Sequence, residues 1–139
     1  MADEHRLEAQ VLTPEGEVYE GELFQVSTRT AVGEVGIRAR HAPMVARLVP
    51  CELRLHSDEG GEPDTYAQGE GWLEVFANRV RVLVAEAHEP SDLDVSDLKE
   101  RLAAAEESLS EAEDGSAAAE QAERERDRAQ AFIEIAEAG

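Results

Sequence analysis

The sequence predicts an antiparallel β-sandwich of about eight to ten short strands, followed by an antiparallel α-helical hairpin. Three observations carry this. Up to His88, apolar residues recur with a period of two between closely spaced Gly and Pro turns. At His88-Glu89-Pro90-Ser91 the composition shifts. Beyond that point the apolar period becomes that of a helix. The expected division is a sandwich domain over residues 1–88 and a helical hairpin over 89–139, with helices over about 93–113 and 117–137.

Leu7–Leu12 reads as the first strand, ended by the turn Thr13-Pro14-Glu15-Gly16. Phe24, Val26 and Thr28 alternate with Gln25, Ser27 and Arg29. Met44–Val49 is a mostly apolar run between Pro43 and Pro50, and Cys51, Leu53 and Leu55 then alternate with Glu52, Arg54 and His56. Asp58–Asp64, with two glycines and a proline, is a hairpin connection. Tyr66 begins a strand that Gly69-Glu70-Gly71 interrupts in the manner of a bulge. Trp72–Phe76 and Val80–Ala85 flank Ala77-Asn78-Arg79, with Val80, Val82 and Val84 on one face and Arg81 on the other. Trp72, between Gly71 and Leu73, is expected in the core.

Helix-start signals cluster at Ser91, Asp94 and Ser96. Leu98, Leu102, Ala105, Leu109 and Ala112 then form one apolar stripe. Asp114-Gly115-Ser116 stops that helix and starts the next, in which Ala118, Ala122, Ala129, Ile133 and Ala136 share a face with Phe132 beside it. A turn this short makes the helices antiparallel. Residues 1–88 hold 16 acids and 8 bases, and residues 89–139 hold 16 acids and 5 bases. The helical part is the more self-repelling half and its seam is rich in alanine, so it is expected to be marginal and able to detach.

The net charge of −19 over 139 residues argues against nucleic-acid backbones and anionic membrane surfaces. A single cysteine, Cys51, allows no intrachain disulfide. Met1–Arg6 has no apolar run, so no signal peptide is expected there. No segment approaches the ~18 apolar residues of a membrane span, so membrane association is expected only through partners. The four histidines have no metal-ligand spacing, and no metal or cofactor is expected. Cys51, alternating with apolar strand residues, reads as a buried structural thiol. Ser27, His41 and Asp58 make a triad only on paper.

What remains is Gly33–Met44, with glycines three apart and a His-Ala-Pro turn. Pro43 fixes its own φ and pushes Ala42 away from helix. The stretch reads as a shaped, rigid loop between two strands that docks rather than reacts. His41 reads either as a turn histidine satisfied by backbone or as an interface contact. Arg124, Arg126 and Arg128 read as a solvated helix face or as a basic cluster for an acidic partner.

The run Gly33-Glu34-x-Gly36-Ile37-x-x-x-His41-Ala42-Pro43 resembles the signature of the epsilon subunits of F-type ATP synthases, the delta subunit of mitochondria. The resemblance extends to Leu7-x-x-x-Val11-x-Thr13-Pro14, to Gly69-x-Gly71-Trp72-Leu73-Glu74-Val75 and to Val80-x-Val82-Leu83. It implies a non-catalytic subunit of the rotor, or central stalk, that links gamma to the c ring and couples ion flow to ATP synthesis. It places the protein peripherally on the cytoplasmic face of the cell membrane. Carried over by position, Glu34, Val35, Gly36, Ile37, Arg38, Arg40, His41, Ala42, Pro43 and Met44 lie at the contact with gamma and the c ring. The family's hairpin reaches toward the alpha/beta catalytic head and in many bacteria inhibits ATP hydrolysis. Here Arg124, Arg126 and Arg128 would make that contact, and three arginines imply weak inhibition.

Two departures stand out. Ala39-Arg40 replaces the family's proline-glycine, so the loop must bend without that glycine. Of the motif through which some relatives bind ATP, only Leu93 and Asp94 remain, with Asp97 where an arginine is needed. Tight nucleotide binding is therefore not expected. The rival readings are a free-standing β-sandwich binding module with a coiled-coil docking arm, and a small enzyme with a site between sandwich and hairpin.

Overall fold

The computed structural model describes residues 4–138. Ten strands occur among them: β1 (Leu7–Thr13), β2 (Gly16–Leu23), β3 (Gln25–Thr30), β4 (Gly33–Arg38), β5 (Met44–Leu48), β6 (Cys51–His56), β7 (Asp64–Gln68), β8 (Gly71–Phe76), β9 (Arg79–Val84) and β10 (Ala87–His88). A 3-10 turn at Pro90–Asp92 leads to two helices, α1 (Val95–Glu111) and α2 (Ala117–Ala138). The chain divides into two compact units between His88 and Glu89.

In the first unit the strands follow the order β10-β7-β6-β3-β5-β8-β9-β1-β2, with β4 paired to β3 alone. β3 serves both layers, because Gln25–Ser27 pair with β6 while Thr30 pairs with Leu48 of β5. The ladders are antiparallel except between β1 and β9, which run parallel. Inward positions recur with the expected period of two. Met44, Val75, Val80 and Ala9 form one cross-strand row, and Ala46, Leu73, Val82 and Val11 the next. Fourteen aliphatic residues, mostly Leu and Val, make one core.

Two strand expectations need correction. Gly69-Glu70-Gly71 is not a bulge within a strand. It is the passage from β7, which pairs with β6 and β10, to β8, which pairs with β5 and β9. Gly71 is required there by space: a Cβ would run into the Leu83 carbonyl and lie 2.7 Å from Val84 Cα. Trp72 is not in the core. It is 51% exposed, because Leu73 and Val75 take the inward positions of β8 and leave Trp72 the outward parity.

In the second unit the Asp94 carboxylate accepts the Asp97 N–H at 3.1 Å and caps α1. That cap starts α1 two residues later than the spacing suggests, and the extended Ala112 (ψ 151) ends it two residues sooner. Gly115, at φ 78, turns the chain, and Ser116 Oγ accepts the Ala119 N–H at 3.1 Å at the start of α2. The helices pack on each other, with Leu98 and Ala105 of α1 buried and Leu102 and Leu109 partly so. On α2 the buried alanine of the first turn is Ala119. Ala118, placed on the inner face by the sequence pattern, is exposed. Ala122, Ala129, Phe132, Ile133 and Ile135 continue the buried set.

Candidate interaction surface

The stretch Gly33–Met44 is not one loop. Its first half is β4, whose six residues pair with the whole of β3. Ile37 is buried, Val35 is half-buried, and Glu34, Gly36 and Arg38 face solvent. Gly33, at φ 140, lets the chain leave the β3–β4 turn, where Thr30 Oγ1 donates to the Gly33 carbonyl at 3.0 Å. Only Ala39–Pro43 is irregular. Glu34 and that turn therefore sit at opposite ends of β4, roughly 17 Å apart at strand rise.

At the β3–β4 end, Glu34 pairs with Arg29 directly across the ladder at 3.0 Å, and both are exposed. Val32, in the connecting turn, is 97% exposed. At the other end the chain bends at Arg40 itself, which takes a left-handed conformation (φ 62), so no glycine is needed. The His41 N–H then donates to the Arg38 carbonyl at 3.2 Å. His41 Nδ1 lies 2.7 Å from the Ala42 carbonyl. A carbonyl only accepts, so this nitrogen carries the proton.

A polar relay crosses the strands beside β4. Arg38 Nε donates to Gln25 Oε1 (2.7 Å), Gln25 Nε2 to Ser27 Oγ (2.6 Å), and Ser27 meets His56 Nε2 at 3.3 Å. Arg38 also lies 4.9 Å over the Phe24 ring. Ser27 is thus brought to His56, not to His41, and no triad forms. Burial, then the Arg54 and Arg38 charges, push the His56 pKa down. Cys51 is half-buried, with its thiol pushed up by burial. It meets the Thr28 hydroxyl, which donates to Gln68 Oε1. A thiol held protonated in this way is a poor nucleophile. No group of three or more His, Cys, Asp or Glu that could hold a metal occurs among the described residues.

The surface that pattern reading missed is the outward face of β5 and β8. Val45 and Phe76 are each 71% exposed. Val45 stands opposite Glu74, with Trp72 and Phe76 as its diagonal neighbours, so the three flank Glu74 on one face. Arg47 lies across from Trp72, and Arg81 and Arg79 follow on β9 opposite Glu74 and Phe76. A groove of about 450 Å³ continues past Phe76, lined by Glu20, Glu22, Glu74, Arg79 and Arg81 among others. The signal for the patch was the parity of Val45, Trp72 and Phe76 against Met44, Leu73 and Val75.

On the helical unit, Leu93 lies between the 3-10 turn and α1, and Asp94 is the cap just described. Asp97 binds Arg101 at 2.9 Å. Asp94 and Asp97 are thus both engaged in the first turn of α1. Arg126 pairs with Asp127 (3.2 Å) and Arg128 with Glu125 (3.3 Å). Arg128 also lies 4.9 Å over the Phe132 ring. Arg124 is exposed on the same helix.

The fold defines a β-sandwich module followed by a helical hairpin. Residues 6–90 match the family described as ATP synthase, Delta/Epsilon chain, beta-sandwich domain. The ATP synthase epsilon chain of Halalkalibacterium halodurans is 36% identical over 130 residues, covering 94% of this chain and 96% of that one. That of Persephonella marina is 39% identical over 128 residues, covering 91% and 93%. Among solved structures, a chain of the Euglena gracilis mitochondrial ATP synthase (OSCP/F1/c-ring) superposes with a TM-score of 0.76 at 23% identity, covering 99% of this chain and 83% of its own. One from the central stalk and c ring of the Tetrahymena thermophila enzyme gives 0.59 at 17% identity, covering 93% and 95%. The chain belongs to the epsilon-chain family of the ATP synthases.

Proposed function

We propose that this chain is a non-catalytic subunit of the rotor of an F-type ATP synthase, linking gamma to the c ring. The observation that carries the reading is the patch of Val45, Trp72 and Phe76, three large apolar side chains left in water on a protein of net charge −19. Scattered surface apolars are ordinary, but three large ones grouped on one face, around Glu74 and beside arginines, mark an interface. The family supplies the partner. In this reading the patch faces gamma, and the two ends of β4, Glu34 and Arg40–Met44, meet gamma and the c ring. Residues 1–88 and 89–139 are then the docking and regulatory domains. The protein sits peripherally on the cytoplasmic face of the cell membrane, held by its partners. Among the described residues no helix is long and apolar enough to cross a membrane.

The helical unit regulates hydrolysis weakly, through Arg124, Arg126 and Arg128 against the alpha/beta head. Arg126 and Arg128 already pair with acids on their own helix, which reduces what they can offer. The test is reconstitution with gamma, the c ring and the head. Trp72→Glu is expected to weaken assembly at least tenfold, because a buried unpaired carboxylate is costly at an interface. Unchanged assembly would remove the patch from the interface. Deleting residues 89–139 is expected to raise hydrolysis less than about twofold, a barrier change of ~0.4 kcal/mol. Calorimetry with ATP at millimolar concentration is expected to show no saturable binding.

A further inference from the structure

Three residues other than glycine take a left-handed backbone among the described residues: Arg40 (φ 62), Ala77 (φ 50) and Asn78 (φ 61). Ala77 and Asn78 are the two-residue connection between Phe76 and Arg79, which pair across β8 and β9. With both φ values positive this is a mirror-image hairpin turn, matched to the twist of its strands. Asparagine tolerates such a turn, whereas alanine and arginine bear a steric cost. Strain of this kind persists only where the surroundings over-determine it.

The surroundings here converge on one side chain. Asn78 Oδ1 accepts the Arg40 N–H at 2.8 Å, and Asn78 Nδ2 donates to the Arg6 carbonyl at 3.0 Å. The Asn78 carbonyl accepts the Glu8 N–H at 3.1 Å. Arg40 Nη1 reaches on to the Glu4 carbonyl at 3.0 Å. Asn78 thus joins three segments far apart in sequence: the turn after β4, the turn before β9 and the chain entering β1.

We propose that Asn78 is a positioning residue for the Ala39–Pro43 turn. Its Oδ1 holds Arg40 in the left-handed conformation and so sets the direction in which His41, Ala42 and Pro43 leave β4. The bond from the His41 N–H back to the Arg38 carbonyl closes a turn whose central residues are Ala39 and the left-handed Arg40. Pro43 fixes the far end through its own φ. The proposal rests on the reading of this turn as a docking element, and it gives that element a source of rigidity outside its own sequence.

The test compares Asn78→Gly with Asn78→Asp in the full chain. Glycine accepts the backbone conformation and removes both side-chain bonds. Aspartate keeps an oxygen for the Arg40 N–H and replaces the donor to Arg6 with a second acceptor, which turns away from that carbonyl. In Asn78→Gly the Arg40 amide is expected to exchange with solvent about tenfold faster or more, while Asn78→Asp stays within about twofold of the parent. Val26 and Val82 amides serve as controls for global stability and should not move. An unchanged Arg40 amide in Asn78→Gly overturns the proposal, and so does equal acceleration in both variants. A second readout is binding of the same variants to a gamma–c-ring subcomplex, expected to weaken several-fold for glycine and not for aspartate. If the parent chain itself does not bind that subcomplex, the docking reading fails, while the exchange result still decides the role of Asn78.

Discussion

The sandwich core is a cluster of fourteen aliphatic residues, most of them Leu and Val, and the unit spreads a net charge of −8 over 88 residues. The helical unit buries four alanines alongside Leu98, Phe132, Ile133 and Ile135, and it crowds −11 onto 51 residues. A buried Leu contributes roughly 2 kcal/mol and each buried methylene-sized increment about 0.8. The alanine seam therefore returns much less per position than the sandwich core. One unit is built to hold its shape. The other is held together by a few large side chains and opposed by its own charge. Packing and charge together predict an uneven distribution of stability, divided at the boundary between His88 and Glu89.

The largest test of that contrast is Leu53→Ala, at a fully buried sandwich position. It is expected to cost about 3 kcal/mol in denaturant unfolding followed through sandwich amides. Phe132→Ala should cost a similar amount locally, but from a smaller reserve. Hydrogen exchange should then show α2 nearly unprotected with the sandwich unaffected. Equal protection of both units in the parent protein would break the comparison. Asp94→Ala removes the cap of α1 and should cost about 1 kcal/mol, visible only in the helical unit. Raising salt from about 0.05 to 1 M should stabilise the helical unit more than the sandwich, since screening relieves its repulsion.

The smallest effect concerns His56. Its folded pKa lies below the ordinary value, so the unfolded chain takes up the proton first. Stability is fully present above the unfolded pKa, near 6.5, and declines as pH falls below it. His56→Gln should remove a small step in this window. The ring is only partly buried, so the step is small beside the general titration of the carboxylates.

Strand and helix periods were legible because burial writes them directly into the sequence. Val80, Val82 and Val84 are buried as their alternation with Arg81 requires, and Leu98 and Ala105 lie on the predicted stripe. Trp72 was misplaced because its residue type favours the core while its parity favours solvent, and parity won. Gly33–Met44 read as a loop because glycines and charges dominate it, yet full pairing with β3 makes half of it a strand. The role of Asn78 could not be read at all, since its partners Arg40 and Arg6 lie 38 and 72 residues away.

The ladder between β3 and β4 has a mechanical consequence. Its six pairs run without a break from Gln25 opposite Arg38 to Thr30 opposite Gly33. A load that enters at the Arg40 turn and passes from β4 into β3 acts along the strand axis, at right angles to these hydrogen bonds. They would be sheared together, not peeled one at a time. For the rotor subunit proposed above, this direction would be the stiff one.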